Sequence, residues 1–295
     1  MMILEWLKAV LYGIVEGITE WLPVSSTGHL ILIEDFLPFA FSKDTAFLAE
    51  FGEMFQVVIQ LGAILAVVIL FWHKLWPFSG KKTKEEKRGT WSLWFKVILA
   101  SIPAALVGIV GDKLLEKFSG KDIDGWLYNS VTVAVALIVY GIAFLVVEKL
   151  HKGEMARVDS VDRISYRTAF LIGAFQTLSI IPGTSRSGST ILGAMLLGLS
   201  RTAGAEFSFF MAIPAMVGAS GIKLLGFGSW VVEQGITVPV DAWIVLAIGF
   251  LVSFLVSLVA IRFLMDFVKK HSFAPFGIYR IALGLLVLIL WLVQR

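Results

Sequence analysis

The 295-residue chain contains no cysteine, which excludes a disulfide framework, thiolate catalysis and any Cys-type metal site. Charge is also scarce. Only 16% of residues are Asp, Glu, Lys or Arg, where a soluble domain carries about 25%. Long polar tracts are missing, so the chain is neither disordered nor fibrous. Alternation of inward and outward residues over about ten positions is missing too: Ala134–Val147 is nearly continuous Ala, Leu, Ile and Val, which excludes a transmembrane β-barrel. A basic region followed by a small-residue cleavage site is absent from the start, so Met1–Leu22 is expected to belong to the mature protein.

What remains is apolar. Residues of the hydrophobic set make up 58% of the chain, with 23 Phe and 10 Trp, and the mean hydropathy is +0.86. A water-soluble enzyme is excluded, and the fold class expected is an all-α polytopic membrane protein. Uninterrupted apolar runs long enough to cross a bilayer, about 18 to 24 residues, predict six full transmembrane helices at 54–72, 92–111, 127–148, 206–224, 243–264 and 276–293. Lys96, Arg262 and Arg280, near the span ends, are expected to snorkel toward headgroups. The net charge of +3 does not point to nucleic acid, because the basic residues flank apolar spans and act there as orientation signals.

Two further apolar regions, 3–33 and 166–199, are broken midway by Pro23 to His29 and by Pro182 to Thr190. Pro removes a backbone donor, and Gly and Ser favour turns. Such backbone is tolerated at membrane depth only where protein or a wet cavity satisfies it. Each region is therefore read as a re-entrant helical hairpin. The loops at 73–96, 149–167 and 265–275 are rich in Lys and Arg and are expected to face the cytoplasm. The loops at 34–53, 112–126 and 225–242, with both termini, are expected on the other side.

An internal repeat runs at an offset of 160 residues, pairing Ala9 with Ala169, Gly13 with Gly173, Glu16 with Gln176, Ser25 with Ser185, Thr27 with Ser187 and Gly28 with Gly188. Each half, 1–150 and 151–295, would hold one hairpin and three spans within a single membrane domain. An odd number of crossings turns the second copy over, giving an inverted-topology repeat.

Ionisable groups inside apolar segments are costly and usually kept for function. Glu16 and Glu20 are four apart, on one helix face, and Ser25, Ser26, Thr27 and His29 follow closely. The serines and threonine also suit the capping of the next helix. In the second break Ser185, Arg186, Ser187, Ser189 and Thr190 are spaced by Gly183 and Gly188. That composition suits an oxyanion: glycines admit backbone N–H groups, hydroxyls donate, a helix start adds partial positive charge and Arg grips phosphate with a planar fork. The residues together suggest hydrolysis of a phosphorylated or pyrophosphorylated lipid that enters laterally, with a divalent cation on the carboxylate pair. A transporter or lipid flippase is the rival reading, since broken helices in inverted repeats are a transporter pattern.

The stretches Glu16 to Leu30 and Pro182 to Thr190 closely resemble the two signatures of the bacterial undecaprenyl-diphosphatases of the bacitracin-resistance type, and the likeness continues through Gln60 to Val68, Glu206 to Phe209 and Phe273 to Arg280. The resemblance implies an inner-membrane enzyme that removes the terminal phosphate of undecaprenyl diphosphate, recycling the lipid carrier for peptidoglycan synthesis and conferring bacitracin resistance. It implies Glu20 and Glu16 as the essential acidic pair and as the ligands of Mg²⁺ or Ca²⁺. His29 and Ser26 would act as nucleophile or general acid, and Arg186, with Ser185, Ser187 and Thr190, would bind the diphosphate. Gly183, Ser25 and Thr27 are taken as further substrate contacts. The expected partners are a polyprenyl diphosphate lipid, the bilayer and a second copy of the chain, with the active site open to the outer face.

Overall fold

The computed structural model describes residues 2–119, 127, 129–151 and 155–293. The expected loop at 112–126 from residue 120 onward, and Lys152, lie outside the described residues. Most of the described residues are helical: α1 Met2–Thr19, α2 Ser26–Phe36, α3 Thr45–Leu70, α4 Trp72–Leu75, α5 Lys84–Ser119, α6 Ser130–Leu150, α7 Tyr166–Gln176, α8 Arg186–Leu196, α9 Arg201–Gln234, α10 Val240–Lys270 and α11 Ala274–Val293. Six of these, α3, α5, α6, α9, α10 and α11, are long and apolar enough to cross a membrane. They match the six expected spans, but most run further. Helix α3 starts nine residues early, where Asp44 caps it by accepting from the Phe47 N–H at 3.0 Å. Hydropathy marks where lipid would lie, whereas caps mark where helix ends, and the two differ by a turn or more. For the same reason much of the expected loops 73–96 and 225–242 is helix: α5 begins at Lys84, and α9 and α10 leave only 235–239 between them.

Two compact units divide the chain, and they cut across the boundary at 150. The first comprises residues 1–21, 29–71 and 212–262, the second 22–28, 72–211 and 263–295. In the first, Tyr12, Phe39, Phe51 and Phe55 form an aromatic core, with Tyr12 stacked on Phe39 at 5.2 Å and Phe39 edge-on to Phe55 at 4.9 Å. A buried Glu5–Lys8 pair at 2.8 Å anchors the 38–40 segment to α1: Lys8 donates to the Pro38 carbonyl at 2.6 Å, and the Ala40 N–H donates to Glu5 at 2.9 Å. Every donor or acceptor spent there offsets the cost of burying charge.

In the second unit α6 and α11 run antiparallel in close contact. A Cβ at Gly277 would lie 2.8 Å from the Gly141 carbonyl oxygen, and one at Gly284 would lie 2.8 Å from that of Ala134, so only glycine lets the backbones approach. Glu148 at the end of α6 accepts from Arg201 Nε at 2.8 Å, from Arg201 Nη2 at 2.5 Å and from the Phe273 N–H at 2.7 Å, tying α6, α9 and the turn before α11 at one carboxylate. Two of the three residues expected to snorkel do not. Lys96 is buried and donates to the Asp162 carbonyl at 3.1 Å. Arg280 is wholly buried; the third, Arg262, is exposed.

Candidate active site at the two helix breaks

Both expected breaks exist, and they are built alike. Between α1 and α2 the chain turns through residues 20–25; between α7 and α8 it passes a short 3₁₀ turn, Thr177–Ile180, and then 181–185. Ser25 and Ser185, the positions paired by the repeat, are the only non-glycine residues at positive φ among the described residues, at 76° and 72°. A side chain bearing Cβ pays about 1–3 kcal/mol for such backbone, and it persists where the surroundings fix it. Each serine also caps the helix after it. The Gly28 N–H donates to Ser25 Oγ at 3.3 Å, and the Gly188 N–H donates to Ser185 Oγ at 3.2 Å. The capping reading of the first break is thus realised at Ser25, and Ser185 repeats it in the second. Both α2 and α8 thus begin at a capped end, and the start of a helix favours an anion.

The second unit holds Leu22 to Gly28 together with the whole second break. Arg280 on α11 connects the two. Its Nη1 donates to the Pro23 carbonyl at 3.1 Å, while Nη2 donates to the carbonyls of Gly183 at 2.7 Å and Thr184 at 2.9 Å. The guanidinium also lies 5.4 Å from the centre of the Tyr140 ring. Gly183 carries φ 89°, and a Cβ there would sit 2.5 Å from the Val133 carbonyl oxygen, so two independent constraints demand glycine.

Arg186 begins α8 half-buried. Its Nη1 donates to the Ser208 carbonyl at 2.7 Å and to Ser208 Oγ at 3.3 Å. Ser208 Oγ in turn lies 2.6 Å from Thr190 Oγ1, and Thr190 donates to the Arg186 carbonyl at 2.9 Å. The Nη1 side of the fork is therefore anchored on α9, with Thr190 of its own helix bracing Ser208. Ser185 and Ser187 hydroxyls are 3.2 Å apart, and Ser189 donates to the Ser185 carbonyl at 3.0 Å. Ser26, Thr27, His29 and Ser185 are partly exposed, whereas Ser25, Thr184, Ser187 and Thr190 are buried.

Glu16 and Glu20 are buried in the first unit, at 0% and 4% exposure. The Glu20 N–H donates to the Glu16 carbonyl at 3.0 Å, which carries the α1 spiral one residue past its end and keeps both carboxylates on one face. His29 belongs to the same unit and Ser26 to the other, although only two residues separate them. Ser208, Tyr140 and Arg280 were not expected as site residues. Each lies inside an apolar span on its buried face, and for Arg280 the small residues Gly277 and Gly284, at helical spacing, mark that face in the sequence.

The fold defines a polytopic membrane protein whose two helix breaks bring together serine-capped helix starts and an arginine anchored on a neighbouring helix. The chain belongs to the family described as bacitracin resistance protein BacA, whose family model matches residues 9–286. Relatives named undecaprenyl-diphosphatase include one from Enterococcus faecalis, 50% identical over 285 residues and covering 97% of each chain. Another, from Acetivibrio thermocellus, is 49% identical over 292 residues, 99% of this chain and 100% of its own. A third, from Streptococcus pyogenes, is 50% identical over 289 residues, 98% of this chain and 97% of its own.

Proposed function

We propose that the protein hydrolyses undecaprenyl diphosphate to undecaprenyl phosphate and orthophosphate, returning the lipid carrier to peptidoglycan synthesis and conferring bacitracin resistance. The observation that carries this reading is the pair of serine-capped, positive-φ helix starts joined through Arg280, in a chain about 50% identical to undecaprenyl-diphosphatases along nearly its whole length. The bond that breaks joins the terminal phosphorus to the bridging oxygen, and its electron pair leaves with undecaprenyl phosphate. Negative charge on the terminal phosphoryl oxygens is met by Arg186 and the helix-start N–H groups, with Ser187 and Thr27 as donors beside them. Thr190 acts through Ser208 by holding the arginine. Glu16 and Glu20 are the acidic pair; Ser26 or His29 serves as nucleophile or general acid, or activates a water.

The two carboxylates are hard oxygen donors of the kind Mg²⁺ or Ca²⁺ takes. Among the described residues no group of three or more His, Asp or Glu is gathered to hold a metal. A cation would therefore rest on Glu16 and Glu20 and take its remaining ligands from the substrate and water, the usual Mg²⁺ arrangement at phosphates. When bound it supplies further charge neutralisation on phosphate oxygens. The deciding measurement is orthophosphate release from undecaprenyl diphosphate by purified protein in detergent, with and without chelator. Release that stops with chelator and returns with Mg²⁺ or Ca²⁺ is expected. Lipid movement in vesicles without release would favour the flippase reading instead, and undiminished release in excess chelator would remove the metal.

Each broken helix pair is proposed to return to the face it entered from, in the bacterial inner membrane, with the site open to the outer face. A cysteine at Ser26, introduced into this thiol-free chain, should react with an impermeant reagent added outside whole cells. Labelling confined to inverted vesicles would reverse the orientation.

A further inference from the structure

We infer that Arg280 is the positioning residue of the head-group site: a single buried guanidinium fixes how the two breaks stand to each other, by holding Pro23 of one and Gly183 and Thr184 of the other through their carbonyl oxygens. This rests on the proposed hydrolysis for its kinetic readout, but its geometric part does not. Among the described residues no carboxylate pairs with Arg280, which is 0% exposed. Its charge is met by three carbonyl dipoles and the Tyr140 ring. Those carbonyls sit at repeat-related places, Pro23 opposite Gly183. Because a trans peptide carries its N–H opposite its C=O, drawing the Thr184 carbonyl onto the guanidinium turns the Ser185 N–H away from it. Helix α11 cannot drift, since Gly277 and Gly284 seat it directly on the α6 backbone. The arrangement requires a fork. Nη1 serves one break and Nη2 the other, a division that the single ammonium of lysine cannot reproduce.

Misplacing reacting groups lowers turnover more than affinity. Arg280→Lys is therefore expected to lower kcat at least thirtyfold while KM stays within about threefold. Phe144→Leu serves as the control, because Phe144 packs in the same unit against Phe273, with ring centres 5.8 Å apart; it should lower thermal stability and leave kcat per folded molecule within about twofold. In parallel, spin labels on cysteines placed at Leu22 and Ile181, one within each break and neither in the machinery, should give a narrow distance distribution that broadens in Arg280→Lys and stays narrow in Phe144→Leu. A narrow distribution in Arg280→Lys, or a kcat no lower than that of the control, would overturn the inference. If wild-type protein releases no phosphate the functional reading fails, and the label distances still decide the positioning role. Should Arg280→Lys not fold, Gly188→Ala keeps the charge but brings a Cβ to 3.2 Å from Nη1; an unbroadened distribution and unchanged kcat there would be equally fatal.

Discussion

The first and second helix breaks share a backbone and differ in almost every reactive side chain. Each sets a serine at positive φ, caps the following helix with that serine and offers a carbonyl to Arg280. At the repeat offset, however, Glu16 faces Gln176, Glu20 faces Ile180, Ser26 faces Arg186 and His29 faces Ser189. Acid and nucleophile candidates are confined to the first copy, and the cationic fork to the second. On the proposed reading the scaffold that receives an anion occurs twice, while each chemical role is carried once. In the proposed reaction a diphosphate offers two phosphoryl groups and only one of them is attacked, an asymmetry that two like-built breaks with unlike side chains would suit.

The largest effect is expected where the copies differ most in charge. Glu20→Gln should lower phosphate release by about a thousandfold or more, the scale of lost acid–base or metal support, with thermal stability nearly unchanged. Ile180→Leu at the paired position should leave turnover within about twofold, since hydrophobic swaps of equal volume cost little. Turnover and melting measured on both proteins test this together. Wild-type turnover in Glu20→Gln would erase the division of labour.

Next comes the fork. Arg186→Lys keeps the charge but loses the planar pair of donors, one side of which is anchored on Ser208 at 2.7 Å. Turnover should fall by about two to three powers of ten, the equivalent of about 3–4 kcal/mol, with a smaller change in KM. Retention of more than about a third of wild-type turnover would make the second break a general anion attractor, and the two copies would then differ less than their sequences do.

The six spans could be read from the sequence because apolar runs report directly on lipid, and the breaks because Pro, Gly and Ser interrupt those runs. Helix ends were less legible: Asp44 extends α3 through a local hydrogen bond that hydropathy does not weigh. The reactive residues of both breaks stood out as polar groups in apolar surroundings. Arg280 did not, since an arginine at the fifth position of a span resembles a snorkelling one until its helix face is compared with Gly277 and Gly284. Ser208 was passed over for a related reason. A lone serine inside an apolar helix usually bonds its own backbone, and only the fold shows it between Arg186 and Thr190.

The smallest expected effect tests what the two breaks have in common. At Ser25 and Ser185, alanine removes the capping oxygen and keeps the Cβ that positive φ disfavours, so each alanine variant should lose about 1 kcal/mol of stability. Glycine also removes the oxygen, but it adopts positive φ freely and caps nearly as well, which should leave both glycine variants close to wild type in thermal stability. If the hydroxyls act through the caps, turnover in Ser25→Gly and Ser185→Gly should remain within about fivefold of wild type, since the helix-start N–H groups are still aimed as before. A glycine variant that melts like wild type yet loses a hundredfold in turnover would instead assign that hydroxyl a direct contact with the phosphate. Should the loss appear at one serine only, the shared scaffold would hold for folding alone, and the asymmetry between the breaks would reach down to a serine they both retain.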